Sequence, residues 1–166
     1  MEQLIEHITQ TQNISLQQLD YLLNTDDRDL IEKLRKVAQE TAQSVYGNKI
    51  FIRGLIEFTN YCKNDCYYCG IRKSNRCVDR YRLEKETILA CCCQGYELGF
   101  RTFVLQGGED MFFTDDYVCE IVSSIKKNYP DCAVTLSIGE RSRESYQRFR
   151  DAGADRYLLR HETANT

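Results

Sequence analysis

The sequence lacks the features that would place the protein in a membrane, outside the cell or on nucleic acid. No apolar run approaches the roughly 20 residues that a membrane-spanning helix needs. The amino terminus, MEQLIEHITQTQ, has no basic region followed by an apolar core, so we expect no secretory signal and a cytoplasmic protein. Positive charge is not in excess, because 22 Lys and Arg face 25 Asp and Glu. We therefore expect neither a membrane nor a nucleic acid as a partner.

The composition and the first third of the chain predict a globular protein with a helical extension. A chain of 166 residues with 42% hydrophobic content is long enough for one core. In residues 1–48, Leu30, Leu34 and Val37 share one helical face, and Asp27 and its neighbours suit a capped helix start. Gly47-Asn48 breaks this pattern. We therefore predict a helical extension over 1–48 and a core domain over 49–166.

The core domain shows an alternation of predicted strands and helices. Short apolar runs of strand length occur at Ile50–Phe58, Thr102–Gln106, Ala133–Ile138 and Arg156–Arg160. Amphipathic helical patterns lie between the later runs, and Gly99 and Gly153 suit left-handed caps where a helix ends and a strand begins. Such alternation predicts an α/β fold with a parallel sheet, either doubly wound or rolled into a (β/α) barrel. Function is then expected at the carboxyl ends of the strands, where polar residues follow each run.

Three of the nine cysteines form a loop immediately after the first predicted strand. Cys62, Cys66 and Cys69 have the spacing C-x3-C-x2-C, with an aromatic residue just before the third cysteine. Thiolates are the soft ligands that iron–sulfur clusters prefer, and three of them can hold three irons of a cubane. The fourth iron is left open for another ligand.

Two other metal sites stay open from the spacing alone. A structural zinc site normally has four protein ligands, and Cys77 could supply the fourth. An electron-transfer ferredoxin also needs a fourth cysteine. The remaining cysteines are predicted to pack as small apolar residues: Cys91, Cys92, Cys93, Cys119 and Cys132.

The segment FTNYCKNDCYYCGIR resembles the radical SAM superfamily, whose hallmark is C-x3-C-x-aromatic-C after the first barrel strand. This resemblance implies a 4Fe-4S cluster on Cys62, Cys66 and Cys69, with S-adenosyl-L-methionine (SAM) on the fourth iron. An electron from the cluster then cleaves SAM to a 5′-deoxyadenosyl radical. The implied fold is the N-terminal half of a radical SAM (β/α) TIM-type barrel, preceded by helices and ending after about the fourth strand.

Longer stretches narrow the resemblance to HydE, a family of FeFe-hydrogenase maturases. They are RGLIEFTNYCKNDCYYCGIRKSN, VLQGGED, VTLSIGE and AGADRYLLRHETAN. The implied partners are a small-molecule substrate, a reductant such as ferredoxin or flavodoxin, and other hydrogenase maturation proteins. Methylornithine synthase and biotin synthase share the cysteine loop and stay alternatives. A non-catalytic iron–sulfur or zinc-binding module is an alternative of another class.

The resemblance also implies roles for individual residues at the strand ends. Tyr68 offers backbone contacts to the adenine of SAM. The turn Gly107, Gly108 and Glu109 is expected to bind the amino group of the methionine part of SAM. The carboxylate of Glu162 is expected to hold SAM as well. The expected substrate contacts are Thr135, Ser137 and Arg160, the last as a two-pronged donor to a carboxylate. Read singly, these residues also fit an ordinary turn, a hydrogen bond to the backbone and a surface ion pair.

A half barrel has a further consequence for the behaviour of the chain. An open sheet of four strands exposes unpaired edges and apolar surface. We therefore expect this chain to be prone to aggregation when nothing pairs with its sheet.

Overall fold

The computed structural model describes residues 2–162, which contain six helices and four strands. They form two compact units, Met1–Phe51 and Ile52–Thr166. No helix among the described residues is long and apolar enough to cross a membrane.

The first unit contains three helices. They are α1 (Glu2–Thr11), α2 (Leu16–Asn24) and α3 (Arg28–Tyr46). Ser15 begins α2 with a capping box, in which its hydroxyl accepts from the Gln18 N–H and its own N–H donates to the Gln18 side chain. The Asp27 carboxylate caps α3 by accepting from the N–H groups of Asp29 and Leu30, both at 3.1 Å. The predicted helical character and the predicted start near Asp27 are confirmed.

The second unit is a parallel sheet with helical crossovers. Its elements in chain order are β1 (Gly54–Thr59), α4 (Lys85–Glu97), β2 (Thr102–Gly107), α5 (Asp115–Asn128), β3 (Ala133–Ser137), α6 (Arg143–Asp151) and β4 (Arg156–Tyr157). The strands are parallel and lie in the order β1-β2-β3-β4. A doubly wound sheet reverses its strand order partway, whereas a barrel wall proceeds in one direction. The described strands therefore follow the barrel pattern.

Three predicted strands are shorter than the apolar runs that suggested them, and β3, which ends at Ser137 and not at Ile138, differs by only one residue. β1 begins at Gly54 and not at Ile50, because its pairing with β2 starts only at Gly54 and Phe103. β4 ends at Tyr157 and not at Arg160, because its pairing with β3 ends at Leu136 and Tyr157. An apolar run shows where a strand can form, but the neighbouring strand decides where it does.

The core lies between one face of the sheet and the three helices of this unit. Ile56 and Phe58 of β1 point into it, as do four residues of α5 that share one face: Val118, Ile121, Val122 and Ile125. The predicted caps are confirmed, since Gly99 and Gly153 follow α4 and α6 with φ of +92° and +108°. Successive side chains of a strand point to opposite faces of the sheet. Glu57, Gln106 and Ser137 follow core residues of their strands and therefore belong to the face away from the core.

Candidate functional site

A cavity of about 730 Å³ opens at the carboxyl ends of the strands. Residues far apart in the sequence line it together: Cys62, Cys66, Tyr68, Cys69, Gly107, Gly108, Glu109, Ser137, Arg160 and Glu162. The structure thus brings most of the predicted site residues to one place. Thr135 is buried two residues before Ser137 on β3 and does not contribute to the lining. The last three residues of the RHETAN motif, 163–165, lie outside the described residues.

The cysteine loop is an irregular segment whose shape is set by a few backbone hydrogen bonds. The Cys69 N–H donates to the Cys66 carbonyl at 3.0 Å, which makes a tight turn between two of the thiols. The Lys73 N–H donates to the Asn64 carbonyl at 2.9 Å and closes the loop behind them. All three motif cysteines are free thiols on the wall of the same cavity.

The turn after β2 packs directly against this loop. A Cβ atom built on Gly108 would overlap the carbonyl oxygen of Tyr61 and lie 2.8 Å from the Cβ of Cys62. The Lys63 N–H donates to the carbonyl of Glu109 at 3.0 Å. Glycine at position 108 therefore permits an approach of the two backbones that a side chain would prevent.

The Glu109 carboxylate joins the turn to the cysteine loop. Lys63 Nζ lies 3.0 Å from one carboxylate oxygen, and Asn64 Nδ2 donates to the other at 2.9 Å. A left-handed glycine, Gly139 with φ of +79°, lies against the Glu109 side chain after β3. A carboxylate accepts about four hydrogen bonds, so Glu109 keeps capacity for a ligand ammonium group.

The buried side chain of Asp110 holds the turn after β2 against β1 and the segment before α4. Asp110 accepts from the Thr59 hydroxyl at 2.8 Å and from Arg82 through two nitrogens at 2.6 and 2.9 Å. The guanidinium of Arg82 also lies 3.9 Å from the centre of the Tyr61 ring. Burial by itself raises the pKa of Asp110, but hydrogen bonds from Arg82, Thr59 and the Phe112 N–H outweigh it and leave the pKa below its ordinary value.

The segment after β4 brings charged residues to the wall of the cavity. Glu162 has φ of +62°, a left-handed conformation that is uncommon for a residue with a side chain. Loss of water around the phenol and the negative charges of Glu162 and Cys66 raise the pKa of Tyr68 to about 12. Tyr68, the residue just before the third cysteine, thus interacts electrostatically with Glu162 in the segment after β4.

A polar row crosses the strand ends beside the cysteine loop. Arg160 Nη2 donates to Gln106 Oε1 at 3.1 Å, and Gln106 Nε2 donates to Glu57 Oε1 at 3.1 Å. All three residues line the cavity. The row offers a cation at one end and a carboxylate at the other, which suits a small polar molecule with complementary charges.

Several residues of the site were not predicted from the sequence. Lys63, Asn64, Arg80, Arg82 and Asp110 all hold the loop or the turn in place through the contacts of their side chains. The available signal was the pair of arginines in RYRL just before α4, in a chain of net negative charge. Position along the chain alone does not show which arginine meets a buried carboxylate and which meets backbone carbonyls.

The donor set of three cysteine thiols fits a 4Fe-4S cluster, because thiolate is the soft ligand that iron–sulfur chemistry prefers. Cys77 is exposed and does not line the cavity that the three motif thiols share. Three soft ligands with open space beside them suit a cluster with one open iron.

The other cysteines divide by burial. Cys92 and Cys132 pack in the core as predicted, whereas Cys93 is exposed on the same helix as Cys92. Burial is the main cause that raises the pKa of the Cys92 thiol to about 12. A buried protonated thiol is inert as a ligand and as a nucleophile, so Cys92 acts as a packing residue.

Comparison with known proteins agrees with this geometry. A family profile of the Radical SAM superfamily matches residues 56–166. The chain is 46% identical over 143 residues to the [FeFe] hydrogenase maturase subunit HydE of Thermotoga maritima, covering 86% of this chain and 40% of that protein. It is 31% identical over 160 residues to 3-methylornithine synthase of Methanosarcina acetivorans, covering 95% of this chain and 45% of that protein. The chain therefore spans less than half the length of these curated relatives.

A solved structure extends the comparison to the fold. The crystal structure of methylornithine synthase (PylB) superposes with a TM-score of 0.87 at 26% sequence identity, covering 98% of this chain and 48% of that chain. The matched part of this chain includes residues of both units.

Proposed function

Because this chain belongs to the radical SAM superfamily, we propose that it forms the part of an enzyme that cleaves SAM reductively at a 4Fe-4S cluster. The observation that carries the proposal is the meeting of three free thiols and the Gly107–Glu109 turn on the wall of one cavity. With cluster and SAM bound, one electron from the cluster breaks a carbon–sulfur bond of SAM.

The residues of this chain supply binding and orientation. Cys62, Cys66 and Cys69 hold three irons through their thiolates. Glu109 accepts the ammonium group of SAM, and the close packing of Gly108 against Tyr61 and Cys62 keeps the Glu109 turn beside the cysteine loop. Glu162 accepts a second polar group of SAM at the same cavity, next to Tyr68.

The substrate side of the cavity is the polar row at the strand ends. Arg160 pairs with a carboxylate of the substrate, and Ser137 donates or accepts a hydrogen bond beside it. Thr135 belongs to the same strand and supports this wall from its buried position. The row favours a small polar substrate over a long apolar one.

Within the superfamily, we propose that the whole protein has a HydE-type role in assembling the active-site cluster of FeFe-hydrogenase. The identity of 46% to a HydE maturase exceeds the 31% to a 3-methylornithine synthase, and this difference favours the maturase. Its partners are then a small-molecule substrate, a reductant such as ferredoxin or flavodoxin, and other maturation proteins. A carbon-skeleton rearrangement or a sulfur insertion is the alternative chemistry on the same cavity.

The first test is anaerobic reconstitution of the chain with iron and sulfide, followed by reduction with dithionite in the presence of SAM. We expect iron bound by the natural chain and by a Cys77→Ala control, and lost in a Cys62/Cys66/Cys69 triple alanine variant. Formation of 5′-deoxyadenosine by the first two and not by the third supports the proposal. A cluster without 5′-deoxyadenosine supports the non-catalytic iron–sulfur module, and equal iron binding by the triple variant refutes the assigned ligands.

A second test separates the HydE-type role from its closest alternative. The gene carrying this sequence is expressed in a host that makes an FeFe-hydrogenase but lacks its own HydE. Restored hydrogenase activity supports the maturase. Formation of 3-methylornithine in a parallel culture without restored activity supports the synthase instead.

A further inference from the structure

The guanidinium of Arg80 is bonded to backbone on both sides of the cysteine loop. Its Nη1 donates to the carbonyls of Asn60 and Ile71, the latter at 2.9 Å. Its Nη2 donates to the carbonyls of Arg72 at 2.7 Å and Asn75 at 3.0 Å. Asn60 precedes Cys62 and the other three follow Cys69, so one side chain joins the two arms of the loop that carries the thiols.

Arg80 is itself held firmly by the end of β1. Residues 79–83, here named the return segment, run back along Phe58–Asn60. Thr59 and Arg82 form an antiparallel bridge, and the Leu83 N–H donates to the Phe58 carbonyl at 2.8 Å. The Asn60 side chain bonds to both neighbours of Arg80, donating to the Asp79 carbonyl at 2.7 Å and accepting from the Tyr81 N–H at 2.8 Å. The backbone of Arg80 is therefore anchored to the sheet.

This arrangement meets a need of the loop. The segment has no regular secondary structure, so its carbonyls require partners other than a helix or a ladder. A guanidinium carries five N–H donors in one rigid plane, and the four acceptors around Arg80 use that fork from two directions. A lysine has one donor atom on a flexible stem and cannot serve both arms in the same way.

We propose that Arg80 is the positioning residue that shapes the cysteine loop before any cluster is present. The part of this inference that concerns cluster loading rests on the proposed function, whereas the shape of the loop in the metal-free chain does not. Arg80 acts through the backbone of the loop and does not ligate metal itself.

The test is hydrogen–deuterium exchange of the metal-free full chain, comparing the natural sequence with Arg80→Gln and Arg80→Lys. Arg76→Gln is the matched control, because Arg76 is an exposed arginine of the same loop. In both Arg80 variants we expect amides of residues 60–75 to exchange about tenfold faster, the change that follows from losing one or two hydrogen bonds. Exchange in α4 and α5 should stay unchanged, and the Arg76 variant should match the natural chain.

Iron and sulfide binding after anaerobic reconstitution gives the second readout. We expect both Arg80 variants to bind several-fold less iron than the natural chain and the Arg76 control. Unchanged loop exchange in Arg80→Lys overturns the proposal, since charge alone then suffices. Arg80→Gln could speed exchange throughout the second unit by destabilising the fold, and the Arg80→Lys variant then decides the outcome. If exchange is faster throughout the second unit in Arg80→Lys as well, a role confined to the loop is overturned. If loop exchange is faster in the Arg80 variants but even the natural chain binds no iron, the positioning role is supported and the proposed function fails.

Discussion

At the scale of single residues, the site depends on a glycine and on the exposure of cysteine thiols as much as on charged side chains. Gly108 lets the turn after β2 touch the cysteine loop, and the thiols of the motif are exposed or half-buried at that contact. Cys92 and Cys132 have the same chemistry but lie in the core, where burial keeps the thiol protonated. Location in the fold, and not residue type, separates the cysteines of the proposed cluster site from the packing cysteines.

Gly108→Ala should damage the site without unfolding the chain. Its new methyl group overlaps the Tyr61 carbonyl, so the loop or the turn must move, at a cost of about 1–3 kcal/mol in the free energy of unfolding. We expect reduced iron binding after reconstitution and a lower midpoint in urea. Gly70→Ala is the control in the same loop, because a Cβ there meets no non-neighbouring atom within 4 Å and its φ is not left-handed. Equal iron binding by the two variants would contradict the close packing.

Thiol labelling should follow burial. With iodoacetamide near neutral pH, the folded metal-free chain should be modified at the exposed Cys66, Cys77 and Cys93. Cys92 and Cys132 should react only after urea is added, because burial raises the pKa of both thiols and excludes the reagent. Peptide mass spectrometry reads each site. Modification of Cys92 at the rate of its neighbour Cys93 in the folded chain would refute its place in the core.

At the scale of elements, the sequence predicted local features well and long-range contacts poorly. The face of α5 and the glycines after α4 and α6 follow from periodicity and from backbone chemistry, and both are confirmed. The start of β1 was predicted four residues too early, because the apolar run continues where β2 offers no partner. The bond between Arg82 and Asp110 joins residues 28 positions apart, and no local pattern pairs them. The three cysteines were identifiable because the motif lies within one loop.

Asp110→Asn should weaken the junction between β1, the return segment and the turn after β2. The variant loses the ion pair with Arg82, and we expect the free energy of unfolding at neutral pH to fall by about 2 kcal/mol. This figure is at the low end for a buried pair because 35% of the Arg82 side chain is exposed. Urea unfolding measures it, with Asp79→Asn as an exposed aspartate control in the return segment.

The pH dependence of this variant follows from the lowered pKa of Asp110. The unfolded carboxyl has a pKa of about 3.9, and the folded value lies below it. The contribution of the charged form is therefore complete above the unfolded pKa and is lost as the pH falls through the folded pKa. The difference between the natural chain and Asp110→Asn should shrink in acid. A constant difference across that range would show that shape, and not charge, holds the turn.

At the scale of the whole molecule, the sheet is well covered on one side and less so on the other. Ile56 and Phe58 are buried under the helices, whereas Leu55 on the same strand is 55% exposed. Leu158 and Leu159 are also exposed and line the cavity at the other end of the sheet. In the methylornithine synthase structure, the matched region is 48% of the chain. Apolar surface of this kind is typical of a face that packs against further protein.

The chain studied alone should therefore self-associate through this face. Light scattering coupled to size-exclusion chromatography should give a mass above that of the monomer, rising with protein concentration. Leu55→Lys should lower that mass, because it places a charge on the exposed apolar face without removing a core contact. Leu98→Lys is the matched control: Leu98 is a more exposed leucine, at 76%, but it caps the end of α4 and is not part of the sheet. If the natural chain stays a monomer at every concentration, or if both lysine variants lower the mass equally, the exposed sheet face is not what drives association.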